Sequence, residues 1–245
     1  MDTALVTGAN RGIGFAIAEG LVAAGLRVFT AARRADAARR TADALGGEPV
    51  VLDVADPASR EAAASALPTL DVVVHNAGVA LDGFDGPVVR RTLAVNTHGP
   101  MALTRSLPLA PGARVVAVSS GLGELSGMHR PHRARFADPE LTEAGLRALL
   151  EEFQAAVDAG TSQEAGWPSS AYRVSKAGLN AWVRITARDR SDLSINAACP
   201  GWVATDMGGA HAPRTPAQGA DTPIWLALTP PGSGRFYRDR LEIPY

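Results

Sequence analysis

"TGANRGIG", residues 7–14, decides how the rest of the chain is read. It follows the short apolar run "TALVT" (3–7). It opens the stretch "GIGFAIAEGLVAAG" (12–25), whose Ile13, Ile17, Leu21 and Ala24 fall on one helical face before Gly25 closes it. A strand, a glycine turn and a helix in direct succession make a cradle for a pyrophosphate. Glycine at positions 8, 12 and 14 allows the tight turn and the close backbone approach. The helix N-terminus adds partial positive charge and free N–H donors.

The pattern outward from this turn repeats. "RVFT" (27–30), "PVVL" (49–52), "DVVVH" (71–75), "RVVAVS" (114–119) and "SINAA" (194–198) are short, nearly continuous apolar runs. Such runs suit strands of a parallel sheet covered on both faces. Helical stretches separate them; "DPASREAAASAL" (56–67) opens with an Asp cap and a Pro at the first helical position. The alternation predicts a doubly wound parallel β-sheet with helices on both faces and right-handed crossovers, as one domain spanning 1–245. Residues 121–169 break the rhythm and read as a helical insertion before the next long helix. Within it, Leu141, Leu146, Leu149, Leu150, Phe153 and Val157 recur at helical spacing behind Asp138-Pro139, so a capped helix is expected to start there. "MHRPHRARF" (128–136), with His129 and His132, reads as a surface loop, or alternatively as a lid over a substrate.

Bulk properties exclude several classes. The chain has 245 residues, 46% apolar and 20% charged, with a net charge of −1. No global field points to nucleic acid or an anionic membrane. No apolar run reaches the ~20 residues of a membrane span, and the N-terminal residues carry no signal-peptide pattern. The single cysteine, Cys199, rules out an internal disulfide framework and fits a reducing, cytoplasmic compartment. Placed after a strand with no base in view, it reads as a small buried hydrophobe. The five histidines show no metal-ligand spacing, so no metal is expected.

The remaining motifs carry chemistry. The second strand ends in "FTAARRADAARR" (29–40). Arg33 there suits the 2′-phosphate of NADP, whereas Asp36 would suit the ribose hydroxyl of NAD but falls three residues later. Arg11 in the glycine loop offers a second cation. The alternative is that Arg33, Arg34, Arg39 and Arg40 form a solvated helix face. Asp53 after the third strand can accept from an adenine amino group or cap a helix. "HNAG" (75–78) is a turn that lets backbone pass close to a ribose. In "AYRVSKAGL" (171–179), Tyr172 and Lys176 share a helix face, and Lys176 is the only lysine among 24 basic side chains. A nearby ammonium is expected to lower a phenol pKa toward useful acid–base work. Ser119 and Ser120 end the fifth strand at the edge where ligands bind, Asn96 sits midway along a predicted helix where it can kink the backbone and hold a water, and Thr205 follows the sixth strand in "CPGWVATDM" (199–207). Trp202 and Met207 suit an apolar pocket wall, or simple core packing.

Taken together, TGxxxGxG (7–14), NAG (76–78), Asn96, Ser120, YxxxK (172–176) and PG (200–201) resemble the short-chain dehydrogenase/reductase family along the whole chain. "GWPSSAYRVSKAGL" (166–179) and "TPAQGADTPIWLAL" (215–228) resemble its carbonyl reductase branch. The resemblance implies a Rossmann-type fold and an NADP(H)-dependent reductase of a small-molecule ketone or aldehyde, of the quinone, diketone or aromatic ketone class. It implies Tyr172 as general acid, Lys176 on the ribose, Ser120 on the carbonyl and Asn96 at a relay water. Its cofactor set is Gly8, Asn10, Arg11, Gly12, Ile13, Gly14, Arg33, Asp53, Val54, Asn76, Ala77, Gly78, Pro200, Gly201, Val203 and Thr205, joined by Tyr172 and Lys176. Ser120, Trp202 and Met207 would meet the substrate. His75 stands where the family commonly has asparagine, and the residues after Ser120 follow no family pattern. The insertion would cover the helices that other members use to pack against neighbours, which implies a monomer. An alcohol dehydrogenase working oxidatively on a biosynthetic hydroxyl, and a non-catalytic dinucleotide sensor, are the alternatives.

Overall fold

A computed structural model describes residues 1–245. In chain order the elements are β1 (Thr3–Thr7), α1 (Gly12–Ala23), β2 (Arg27–Ala32), α2 (Ala35–Leu45), β3 (Glu48–Val51), α3 (Pro57–Ala66), β4 (Leu70–His75), α4 (Gly86–Leu93), α5 (Gly99–Ser106), β5 (Leu109–Val118), α6 (Arg130–Ala137), α7 (Glu143–Asp158), α8 (Ala171–Asp189), β6 (Leu193–Ala198), α9 (Pro216–Leu228), β7 (Phe236–Arg238) and β8 (Leu241–Ile243). The strands form one sheet in the order β3-β2-β1-β4-β5-β6-β7-β8, parallel throughout except for β8 against β7. The expected Rossmann-type architecture is therefore present. The chain order reverses beside β1, with β2 and β3 on one side and β4 onward on the other. In such sheets the ligand crevice opens at the C-terminal ends of the strands at that reversal.

Strand alternation divides the core. Ala4, Val6, Val72, Val74, Val116 and Val118 point toward α1 and α9. Leu5, Val73, Val115 and Ala117 point to the other face, where α8 presents Trp182 and α7 presents Leu149, Leu150 and Phe153. In α8, every residue from Val174 to Val183 is buried. One side of it lies on the sheet, and α4 and α7 pack around the rest.

The structure corrects four boundaries. β5 begins at Leu109, earlier than the apolar run, and its pairing with β4 shifts register between Leu70 and Val72 as it passes Pro111 and Gly112. The insertion helix α7 starts at Glu143, not at Asp138. Thr142 caps it, accepting from Gly145 N at 3.1 Å, while Asp138 closes the preceding turn by accepting from Glu140 N at 2.8 Å. "MHRPHRARF" is not a surface loop: it contains α6, and His132 is buried, stacked 3.7 Å from Trp167. The β7–β8 hairpin was not signalled in sequence, because its turn places Asp239 and Arg240 at φ 54° and 60°. Asp suits the first of these left-handed positions, but the second ordinarily calls for Gly, and Arg240 stands there.

Candidate active site

Three glycines shape the loop between β1 and α1, each for a different reason. Gly8 and Gly12 have φ of 63° and 54°. A Cβ on Gly14 would stand 2.3 Å from both Gly8 O and Asn76 Nδ2. Helices α3, α4, α7, α8 and α9 are capped by Asp56, Asp85, Thr142, Ser170 and Thr215; α1, like α2, α5 and α6, has no capping side chain, but its first residues Gly12, Ile13 and Gly14 line a cleft. Its first N–H groups are thus left to a ligand, and the cradle suits a pyrophosphate.

Thr7, which sequence reading passed over, ties this loop to the turn after β4. Its hydroxyl accepts from Asn76 N and Ala77 N, both at 3.0 Å, and Asn76 Nδ2 returns bonds to Thr7 O at 3.0 Å and Gly8 O at 3.1 Å. The only available signal was a threonine directly before the glycine turn.

A cleft of about 1150 Å³ runs along the C-terminal edge of the sheet. Every site residue expected from sequence lines it except Asn96: Gly8, Asn10, Arg11, Gly12, Ile13, Gly14, Arg33, Asp53, Val54, Asn76, Ala77, Gly78, Ser120, Tyr172, Lys176, Pro200, Gly201, Trp202, Val203, Thr205 and Met207. Arg91, Ser119, Cys199, Arg214 and Arg238 line it as well. At one end Arg33 is exposed and makes no ion pair. Asp36 is held by Arg34 at 2.9 Å and by Arg40 at 2.9 Å, and those hydrogen bonds keep its carboxyl far below the usual range. Asp36 is therefore committed elsewhere, while Arg33 is open to an anion. Asp53 accepts from Ala55 N at 2.9 Å and meets Arg91 at 3.4 Å. Arg11 pairs with Asp206 across the cleft mouth, and a Cβ on Gly12 would be 3.0 Å from Thr205 Cγ2.

At the other end stand Ser120, Tyr172 and Lys176. Ser170 caps α8, accepting from Arg173 N at 3.2 Å, and so fixes where Tyr172 and Lys176 emerge on its first two turns. Lys176 Nζ donates to Val118 O at 2.8 Å and lies 5.7 Å from the Tyr172 ring centroid. Burial lowers the Lys176 pKa to about 8. Burial also pushes the Tyr172 phenol above its ordinary value, with the Ser120 hydroxyl pulling it back by hydrogen bonding. The expected lowering by the lysine is thus not found in the protein alone. The phenol is desolvated, and the ammonium is turned onto the Val118 carbonyl.

Asn96 lies behind this end, in a π-helical turn (Ala94–His98) joining α4 to α5. Its carboxamide is fully engaged: Oδ1 accepts from Val79 N at 2.8 Å, and Nδ2 donates to Val79 O at 2.8 Å and Ser175 Oγ at 3.0 Å. It therefore fastens the segment after Gly78 to α8. Met207 and Trp202 are 50% and 58% exposed, so neither is core packing, and with Leu122 they rim the cleft. Cys199 is buried, as expected, yet its sulfur accepts from Arg238 Nε at 3.2 Å.

The short chain dehydrogenase family model matches residues 2–132. Carbonyl reductase [NADPH] 1 of Mus musculus is 36% identical over 274 aligned positions, covering 99% of this chain and 98% of the relative.

The chain belongs to the short-chain dehydrogenase family.

The human carbonyl reductase [NADPH] 1 is 38% identical, with 98% of this chain and 97% of the relative covered. Among solved structures, this short-chain dehydrogenase superposes on salutaridine reductase from Papaver somniferum with a TM-score of 0.90 at 27% identity, covering 97% of this chain and 99% of that one. Menthone neomenthol reductase from Mentha piperita gives a TM-score of 0.82 at 31% identity, with 97% and 98% covered. Family membership makes it an oxidoreductase. No helix is long and apolar enough to cross a membrane.

Proposed function

We propose that this short-chain dehydrogenase is an NADPH-dependent carbonyl reductase acting on ketones or aldehydes with an apolar, ring-bearing body, such as quinones, diketones and aromatic ketones. The observation that carries the reading is the pairing of the two cleft ends. Unpaired Arg33 suits a 2′-phosphate at one, and Ser120, Tyr172 and Lys176 converge at the other. Similarity to carbonyl reductases [NADPH] along nearly the whole chain supports the same assignment.

When bound, NADPH supplies hydride for the carbonyl carbon. The chain's own groups handle the oxygen. Ser120 Oγ donates a hydrogen bond to the carbonyl, and Tyr172 delivers a proton to the same oxygen as negative charge develops there. Burial keeps Tyr172 protonated at neutral pH, the state a general acid requires for reduction. The ammonium of Lys176 stabilises the phenolate left behind and holds the ribose, a role that a broad guanidinium could not fill in so confined a space. Asn96 positions the 78–79 segment and α8 on which these groups depend. Trp202, Met207 and Leu122 shelter the substrate body. Packing of α7 on α4 and α8 leaves those helices covered, which supports a monomer, and the lone buried cysteine fits the cytoplasm.

The test follows absorbance with NADPH and with NADH against aromatic ketones, diketones and quinones. Wild type is expected to prefer NADPH, Arg33→Ala to lose about tenfold or more of that preference, and Tyr172→Phe to lose turnover while still binding NADPH. An NADH preference, or an active phenylalanine variant, would overturn the reading.

A further inference from the structure

The substrate end of the cleft carries an arginine that this reduction does not use. Arg238 ends β7 beside Cys199, whose N–H donates to Tyr237 O at 2.8 Å. Val118 is paired with Ala198, and Ala198 with Tyr237. The next residues along these strands are Ser119, Cys199 and Arg238, which form one row at the edge where Ser120 and Tyr172 stand. The guanidinium lies over Gly121, the residue after Ser120: a Cβ there would come within 2.4 Å of Arg238 Nη2. The charge is therefore one residue away from the hydroxyl that orients the carbonyl.

Its hydrogen bonding is incomplete. Neighbouring Arg214 locks both prongs onto Asp239 at 2.6 and 2.8 Å, and Arg190 does the same to Asp192 at 2.7 and 2.7 Å. Arg238 behaves differently. Nε donates to the Cys199 sulfur, a weak acceptor, at 3.2 Å, and Nη2 donates to a single Glu124 oxygen at 3.0 Å. Nη1 has no partner, although the side chain lines the cleft. In the same row, the buried Ser119 hydroxyl also has no protein partner. A planar guanidinium with a free prong beside a substrate cleft is built to receive a carboxylate.

We propose that Arg238 forms an anion-accepting subsite that selects carbonyl substrates bearing a carboxylate. The inference takes its substrate from the reductase reading and its selectivity from Arg238. Ser120 and Tyr172 hold the carbonyl oxygen, the apolar rim takes the body, and Nη1 takes a carboxylate oxygen. Glu124 faces the same guanidinium and repels the incoming anion, so it moderates the preference.

Two pairs of probes test this. The compounds 3-formylbenzoate and 4-formylbenzoate place a carboxylate at two separations from the carbonyl; their methyl esters keep the body and remove the charge. With NADPH, kcat/KM for each acid and ester is measured in wild type, Arg238→Gln and Glu124→Gln. Loss of a charge-assisted hydrogen bond is expected to lower the acid-to-ester ratio by about tenfold in Arg238→Gln, and Glu124→Gln is expected to raise it. Benzoate binding by calorimetry reads the same order without turnover. Opposite shifts from the two substitutions cannot arise from misfolding. If the esters are reduced and the ratios are equal in all three proteins, the subsite is wrong and the reductase reading stands. If no ester is reduced but benzoate affinity follows Glu124→Gln, wild type, Arg238→Gln, the subsite stands and the reductase reading fails. Equal benzoate affinities without turnover sink both.

Discussion

Replacing Lys176 by methionine should make the protein more stable and useless as an enzyme. The ammonium is fully enclosed, and burial takes its pKa from 10.5 to about 8. At about 1.36 kcal/mol per tenfold change in proton affinity, holding the charged form costs the fold roughly 3 kcal/mol at pH 7. Methionine has a similar length and no charge, so that cost disappears. The variant also loses the 2.8 Å bond from Nζ to Val118 O, worth about 1–2 kcal/mol. The net gain is about 1–2 kcal/mol, or a few degrees of melting temperature for a chain of this size. The sign with pH follows from linkage. The native lysine releases its proton near pH 8 and the unfolded one near 10.5, so the unfolded state binds more protons between them. Wild-type stability should therefore climb across that window relative to the variant. Chemical denaturation of both proteins at pH 7, 8, 9 and 10 reads the difference directly. If the variant is less stable at pH 7, or the two curves run parallel from pH 8 to 10, the burial cost assigned to Lys176 is wrong.

Gly14→Ala puts a methyl 2.3 Å from Gly8 O and Asn76 Nδ2, so the loop must move by about 1 Å and the Asn76 bonds weaken, at about 1–3 kcal/mol. Lower thermal stability together with weaker NADPH binding is expected; retention of both would remove the cradle argument. His75 is buried, bonded to Thr104 Oγ1 at 2.6 Å, and burial takes its pKa from 6.5 to about 3. The unfolded state therefore binds more protons across that window, and the native state loses roughly 4–5 kcal/mol as pH falls through it. His75→Gln should flatten the difference between pH 6 and pH 4 in denaturation curves, and identical slopes would refute it. Light scattering should give a monomer mass at micromolar and at near-millimolar concentration; a dimer or tetramer mass that persists on dilution would show that α7 does not close the α4–α8 face.

What could be read from sequence was whatever the chemistry places close together along the chain. TGANRGIG and YRVSK each bring their key residues together within eight positions, so their spacing, read with the strands and helices around them, was enough to mark them. Arg238 and Arg214 reach the cleft only through the pairing of β7 with β6 and the fold of the loop after β6. Nothing near them in sequence marks that position. Thr7 was visible but its role was not, because its partners Asn76 and Ala77 lie in the turn after β4, 69 and 70 residues along the chain. His132 misled for another reason. Arginines surround it in sequence, and only the stacked Trp167 ring shows that its side chain is buried. The Tyr172 environment was hidden too, since residue types announce charge but not desolvation.

The enclosure of α8 separates two motions. A helix with a solvent-facing flank can loosen locally and exchange its amide protons while the rest of the domain stays shut. From Val174 to Val183, α8 has no such flank. Its amides should exchange only when the sheet itself comes apart, whereas those of the loop carrying exposed Trp202 and Met207, which has solvent on one side, should exchange sooner. The rim of the cleft and its floor are therefore expected to differ in how readily they open. Lys176 belongs to the part that opens last, and half-buried Tyr172 stands on the turn just before it.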